Sequence, residues 1–186
     1  MKKILLTLTI GILLASCADK NAEKEVKKSA DLNVAENKTK IELKYVDSWN
    51  QIELAHTDDK YGEWGGDTDI IKIYSDGKKY YADYAKYLGN VGPPEPPSEN
   101  AEVKIWYEYK ELESKTDSLE LNTIELQLIK DAIIYLTKEK INNSSFPTHA
   151  GISNSVISRD STLIIDSYPS DEWKPFQELK RRLSEK

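Results

Sequence analysis

The residues best suited to chemistry in this chain are a histidine and several aspartates between positions 56 and 69. His56 and Asp58 stand together in the sequence HTDD, and Asp67 and Asp69 follow a short glycine-rich stretch. Carboxylate oxygens are the ligands that Ca²⁺ prefers, and imidazole binds several other divalent ions. His56, Asp58, Asp67 and Asp69 are therefore a candidate metal site, for Ca²⁺ or another divalent ion. A polar turn that binds nothing is the alternative.

Motifs for other kinds of chemistry are missing from the sequence. It has no Gly-x-Ser-x-Gly elbow, no GxGxxG and no phosphate-binding loop, and the acidic stretch lacks the Gly and Glu positions of an EF-hand. His149, the second histidine, lies in the hydroxyl-rich segment SSFPTHAGIS, which favours a solvated loop. We assign no catalytic residue and expect no cofactor beyond a possible ion. An envelope hydrolase or metal-dependent enzyme that uses carboxylates near residues 56–69 remains the alternative function.

Aromatic residues suggest a binding surface instead. The chain has 11 Tyr and four Trp. Trp64 stands between glycines, while Tyr74 and Tyr81 flank an Asp-Gly turn at positions that point to the same outer face of a hairpin. Tyr and Trp are enriched where proteins bind partners. Because Tyr also favours strands for packing reasons alone, a purely structural role is the competing interpretation.

The first 17 residues, MKKILLTLTIGILLASC, carry the clearest signal in the sequence. Two lysines precede a short apolar run, which ends at Leu14-Ala15-Ser16-Cys17. This arrangement resembles the signal peptide and lipobox of bacterial lipoproteins, and the resemblance covers residues 1–17 only. It implies that residues 1–16 are cleaved and that Cys17 carries a lipid anchor. Ala18 rather than an aspartate follows the cysteine, which favours the outer membrane and leaves periplasmic and surface-facing orientations open.

The rest of the chain divides into a tether and a folded body. Residues 18–40 contain no aromatic residue and alternate lysines with acids, so we expect 17–40 to be a lipidated cysteine followed by a flexible linker. Residues 41–186 form the predicted globular domain, with 18 Lys and Arg against 27 Asp and Glu, a net charge of −9. No basic patch offers itself to nucleic acid. With one cysteine, no disulfide can form within the chain.

Hydrophobic periodicity predicts hairpins and two helices in this body. We expect strands over 41–49 and 51–57, a hairpin over 69–84 turning at Asp76-Gly77, strands over 103–112 and 118–121, and a hairpin over 155–168. The Asp76-Gly77 turn predicts that Ile73 pairs with Tyr80. Helices are expected over about 122–142, capped by Asn122, and 171–185, with Pro175 in the first turn. The predicted class is α+β: an antiparallel sheet built from hairpins, with both helices packed on one face.

The sequence-based expectation for function is a membrane-anchored, non-catalytic binding module. Its partners are the membrane, through Cys17, and an unidentified protein. One version is an immunity-type protein, because an acidic domain attracts a basic toxin.

Overall fold

The described part of the chain contains six antiparallel strands, two α-helices and two short 3₁₀-helices. The computed structural model describes residues 41–92, 106–142 and 148–186. The strands are β1 (Ile52–Thr57), β2 (Thr68–Ser75), β3 (Tyr80–Leu88), β4 (Glu111–Glu120), β5 (Ile152–Ser158) and β6 (Ile164–Ser170), and the helices are α1 (Thr123–Asn142) and α2 (Lys174–Ser184). They form one sheet in the order β4-β3-β2-β1-β5-β6. The predicted α+β class is confirmed.

The hydrophobic core lies between one face of this sheet and both helices. Alternate strand residues point into it, so Leu54, Ile71 and Val156 are fully buried. Trp173 and Phe176 meet them from the start of α2, and their rings stack with centroids 4.7 Å apart. Burying each such side chain contributes about 1.5–3 kcal/mol. The opposite side of the sheet is called here the helix-free face, because neither α1 nor α2 packs on it. It carries the remaining side chains of each strand.

Local sequence signals define where both helices begin. Asn122 Oδ1 accepts hydrogen bonds from the backbone N–H groups of Ile124 and Glu125, and Glu125 Oε2 accepts one from Asn122 N–H. This reciprocal capping box satisfies N–H groups that have no partner within the helix. Pro175 lies in the first turn of α2, where its missing N–H costs least. No helix in the described ranges is long and apolar enough to cross a membrane.

One predicted strand is wrong, and two others differ in their bounds from the strand that is present. Residues 41–49 form turns, because Asp47 Oδ1 accepts hydrogen bonds from the N–H groups of Trp49 and Asn50 and thereby folds the backbone back. Of the predicted strand 103–112, residues 106–109 form a 3₁₀-helix and 111–112 begin β4, while residues 103–105 lie outside the described residues. The segment 118–121 does not begin a separate strand, since 118–120 end the ten-residue strand β4.

The hairpin of β2 and β3 exists, but its register differs from the prediction by two residues. Ile73 pairs with Ala82, and Ser75 pairs with Tyr80, so four residues form the loop. Asp76 Oδ1 accepts hydrogen bonds from the N–H groups of Lys78 and Lys79, which lengthens the turn. A shift of two residues keeps every side chain on its predicted face, because side chains alternate with period two.

Candidate functional site

A depression of about 470 Å³ crosses the helix-free face above β1 and β5. Such a volume is within the range of about 300–1,000 Å³ that small-ligand pockets occupy. Its lining comes from alternate strand positions and from the loops that end them: Gln51, Glu53, Ala55, Thr57, Lys72, Tyr107, Ser153, Ser155, Ile157, Ser158, Arg159, Ser161 and Asp166.

Small side chains in β1 and β5 explain why there is a depression at this point of the sheet. Ala55 and Ser155 are directly paired across β1 and β5, so two small side chains form the floor. Tyr107 supplies a wall from the 3₁₀-helix Trp106–Tyr109, where its ring packs against Ala55, Ile70 and Tyr87. Ile157 is 39% exposed and adds an apolar surface within the depression. The depression therefore combines apolar walls with hydroxyl groups on its floor.

Glu53 is held in place by two neighbouring side chains of the depression. Its Oε1 accepts a hydrogen bond from the Tyr107 hydroxyl, and Lys72 Nζ lies 3.6 Å from its Oε2. Burial, followed by the charge of Glu53, raises the pKa of the Tyr107 phenol well above its usual range. The phenol stays protonated and donates, so the carboxylate is held in one orientation.

Tyr74 and Tyr81 lie on the same face and are paired across β2 and β3. Their rings stack with centroids 5.7 Å apart. The Tyr74 hydroxyl donates to Asp83 Oδ1 at 3.2 Å, and the Tyr81 hydroxyl donates to Asp76 Oδ2 at 3.3 Å. The structure thus joins two of the predicted binding residues into one half-buried aromatic pair, placed over different strands from the depression.

Trp64 does not join that pair. It ends the 3₁₀-helix Gly62–Trp64 in the connection between β1 and β2, and 42% of its surface is exposed. The glycine that follows, Gly65, has a φ of 72°, in the region that non-glycine residues rarely adopt. The backbone conformation at Gly65 therefore explains why a glycine follows Trp64.

His56 and Asp69 face the helices and are held by other side chains. His56 Nδ1 is hydrogen-bonded to Asn154 Oδ1 at 2.7 Å, and its ring packs against Phe176. Asp69 is buried and accepts hydrogen bonds from the Tyr84 hydroxyl at 2.6 Å and from Lys180 Nζ at 2.7 Å. Both groups therefore have structural partners in the interior.

Asp58 and Asp67 lie just beyond the ends of β1 and β2, and each holds backbone. Asp58 Oδ1 accepts from the N–H of Asp67 at 3.0 Å, and Asp67 Oδ1 accepts from the N–H of Gly89 at 3.0 Å. Backbone donation from Gly89, with the charges of Lys60 and Lys86, keeps the pKa of Asp67 below its usual value against the opposing effect of burial. Among the described residues, no three His, Cys, Asp or Glu side chains form a group that could hold a metal ion.

Sequence reasoning missed the residues that shape the depression. Tyr107 was expected in a strand, and its role depends on a contact with Glu53, 54 positions away. One sequence signal could have found part of the lining: alternation with the buried Asn154 and Val156 places Ser153, Ser155 and Ile157 on the opposite face of β5. Period-two alternation marks the exposed face of a strand but gives no indication of what lies beside it.

Comparison of this chain with models of known families, with curated proteins and with solved structures finds no match. Inference about function therefore rests on its own residues. Cys17, the predicted lipidation site, lies outside the described residues.

Proposed function

We propose that this chain is a membrane-anchored lipoprotein whose folded body is a non-catalytic module that binds a partner protein through its helix-free face. The supporting observation is the depression over β1 and β5, which presents the fixed carboxylate of Glu53 beside small, hydroxyl-bearing side chains. Cys17 carries the lipid anchor in this proposal, and the outer membrane is its site, facing the periplasm or the surface.

The depression is suited to receive a protruding group because its parts are already in place. Glu53 is oriented by Tyr107 before any partner arrives, so ordering it on binding costs little conformational entropy. Lys72 and Arg159 add two cations to the lining, and Asp166 adds one further acid. The stacked pair Tyr74 and Tyr81 extends the same face and offers the rigid, amphipathic contacts typical of protein interfaces.

The charge of the body favours a basic partner. A net charge of −9 over residues 41–186 accelerates the approach of a positively charged protein and disfavours an acidic one. An immunity-type role, in which the module captures a basic toxin in the envelope, fits this electrostatic preference.

Crosslinking in intact membranes tests the proposal. The chain is compared with Ser155→Arg, which fills the floor of the depression, and with Gln127→Arg, which places the same charge on the exposed surface of α1. We expect one dominant crosslinked protein with the parent chain and with Gln127→Arg, and its loss with Ser155→Arg. Equal recovery from all three chains, or recovery of lipoprotein-trafficking proteins alone, would contradict the proposal.

A further inference from the structure

A second cleft lies between the segment that precedes β1 and the loop that follows β5, around an unusually exposed tryptophan. Trp49 is 85% exposed, the highest value among the large hydrophobic side chains of the described residues. It lines an open cleft of about 440 Å³ together with Asp47, Asn50, Arg159 and Asp160. Arg159 is the one residue that this cleft shares with the depression. An indole left in water forgoes much of the free energy that burial would contribute.

Hydrogen bonds hold the two loops of the cleft in place. Asp47 Oδ1 accepts from the N–H groups of Trp49 and Asn50, at 2.7 and 2.8 Å. The two loops are also joined to each other, because the N–H of Arg159 donates to Gln51 O at 2.8 Å and the N–H of Asp160 donates to Asn50 Oδ1 at 3.3 Å. The backbone beneath Trp49 is therefore ordered in the free protein, which lowers the entropic cost of binding.

The polar groups around the indole include both donors and acceptors. Arg159 contributes a guanidinium with five N–H donors and makes no ion pair within the described residues, although two carboxylates line the same cleft. The carboxylates of Asp47 and Asp160 are acceptors. Hydrogen bonds from the Ser158 hydroxyl and the Thr162 N–H lower the pKa of Asp160 to about 2, so it is ionised at neutral pH.

This combination discriminates between classes of ligand. With two carboxylates and one guanidinium, the lining has a net charge of −1, which disfavours phosphates, carboxylate ligands and anionic lipid surfaces. Arg159 in turn opposes an ammonium ligand. A neutral polyol matches better, because each of its hydroxyls donates to a carboxylate and accepts from a guanidinium. A pyranose ring adds an apolar C–H face that can stack on an indole.

We propose that the Trp49 cleft binds a neutral saccharide, with the sugar ring stacked on Trp49 and neighbouring hydroxyls bonded to Arg159 and Asp160. The site is separate from the protein-binding role proposed above, and either can fail without the other.

Calorimetric titration of the full chain tests this inference. The probes are three neutral linear hexasaccharides: an α-1,4-linked glucan, a β-1,4-linked glucan and an N-acetylated one. We expect at least one to bind, and Trp49→Ala to weaken its affinity by about tenfold or more. Arg159→Lys retains the charge and loses the planar fork, so we expect a loss of about fivefold. Trp64→Ala removes another exposed tryptophan and should leave the affinity unchanged.

Three outcomes would overturn the proposal. The first is that none of the three sugars binds, and the second is that Trp49→Ala and Trp64→Ala lower the sugar affinity equally. The third is that a lysine-rich peptide competes with the sugars and binds at Trp49 more tightly than they do. Unfolding midpoints of all variants are measured alongside. Trp49→Ala retains the backbone N–H that Asp47 binds, so its fold should persist.

Discussion

At the scale of single residues, Asp69 was predicted as a metal ligand and is instead a buried residue with structural partners. Its carboxylate is 4% exposed and joins Tyr84 on β3 to Lys180 on α2. Replacing the carboxylate by an amide leaves one acceptor oxygen for two donors and removes the charge that balances Lys180, at a site with little access to water.

We predict that Asp69→Asn lowers the free energy of unfolding by about 2 kcal/mol, measured by urea denaturation. The exposed Asp59→Asn serves as the control and should change it little. Adding Lys180→Met should recover part of the loss, because the uncompensated ammonium is then gone. A double variant less stable than Asp69→Asn would contradict this account.

The phenol of Tyr84 makes stability sensitive to alkali. Burial, followed by its hydrogen bond to Asp69, raises the pKa of Tyr84 above its usual value near 10. Below pH 10 both the folded and unfolded chains keep this proton, so the full stability is present. Above it the unfolded chain ionises first, which favours unfolding.

We therefore expect the free energy of unfolding to fall as pH rises above about 10, and to fall less steeply in Tyr84→Phe. Tyr45→Phe, which changes an exposed tyrosine, should follow the parent curve. The comparison is made by urea denaturation at a series of pH values. Identical slopes for Tyr84→Phe and the parent chain would show that another group is responsible.

The candidate ligands illustrate what sequence spacing leaves undetermined at this scale. Residue type and proximity grouped His56 and Asp69 with Asp58 and Asp67. Strand alternation, together with the chain reversal between β1 and β2, sends the first two toward the helices and the other two beyond the strand ends. Which face of β1 is covered depends on helices that come more than sixty residues later.

At the scale of elements, two glycines allow the loop before β2 to touch the end of β3. A Cβ on Gly89 would lie 2.4 Å from the backbone carbonyl of Gly66, and a Cβ on Gly66 would lie 1.6 Å from Asp58 Oδ1. Lys110 Nζ also donates to Gly66 O at 2.6 Å. Close approach therefore explains Gly66, whereas its neighbour Gly65 is explained by its φ of 72°.

We predict that Gly89→Ala lowers the free energy of unfolding by about 2–3 kcal/mol, because backbone atoms must move apart. Gly77→Ala, at a φ of 85° with open space around it, should cost only about 1 kcal/mol. Thermal unfolding of both variants gives the comparison. A loss at Gly89 no larger than that at Gly77 would contradict close backbone approach as the constraint, because the φ of Gly89 is not positive.

Elements whose signals are local were predictable, and those fixed by distant contacts were not. The capping box at Asn122 and Pro175 in the first turn of α2 each act on backbone a few positions away in the sequence. Asp76-Gly77 likewise located the β2–β3 hairpin, but not its register. The 3₁₀-helix Trp106–Tyr109 instead depends on Tyr107 reaching Glu53 and Lys110 reaching Gly66. Alternation of Val103, Ile105, Tyr107 and Tyr109 predicted a strand there, and a tertiary contact overrode it.

At the scale of the whole molecule, the proposed anchor at Cys17 makes the strongest prediction. Acyl chains contribute about 0.8 kcal/mol for each buried methylene, so several chains on one residue hold a protein firmly on a membrane. Cys17→Ala should abolish acyl labelling and move the chain from the membrane fraction to the soluble fraction. Ser16→Ala, which retains the cysteine, should preserve both. Unchanged labelling of Cys17→Ala would overturn the anchor.

One of the two outer strands of the sheet, β4, has a consequence for encounters between copies of the chain. β4 exposes charged side chains along its length: Glu111, Glu113, Lys115, Asp117 and Glu120. Near its end two residues, Asp117 and Ser118, lie opposite Asp83 alone, which interrupts the ladder. Charge and a bulge make a strand edge a poor template for another strand. Copies that meet through this edge therefore have little tendency to pair their β4 strands.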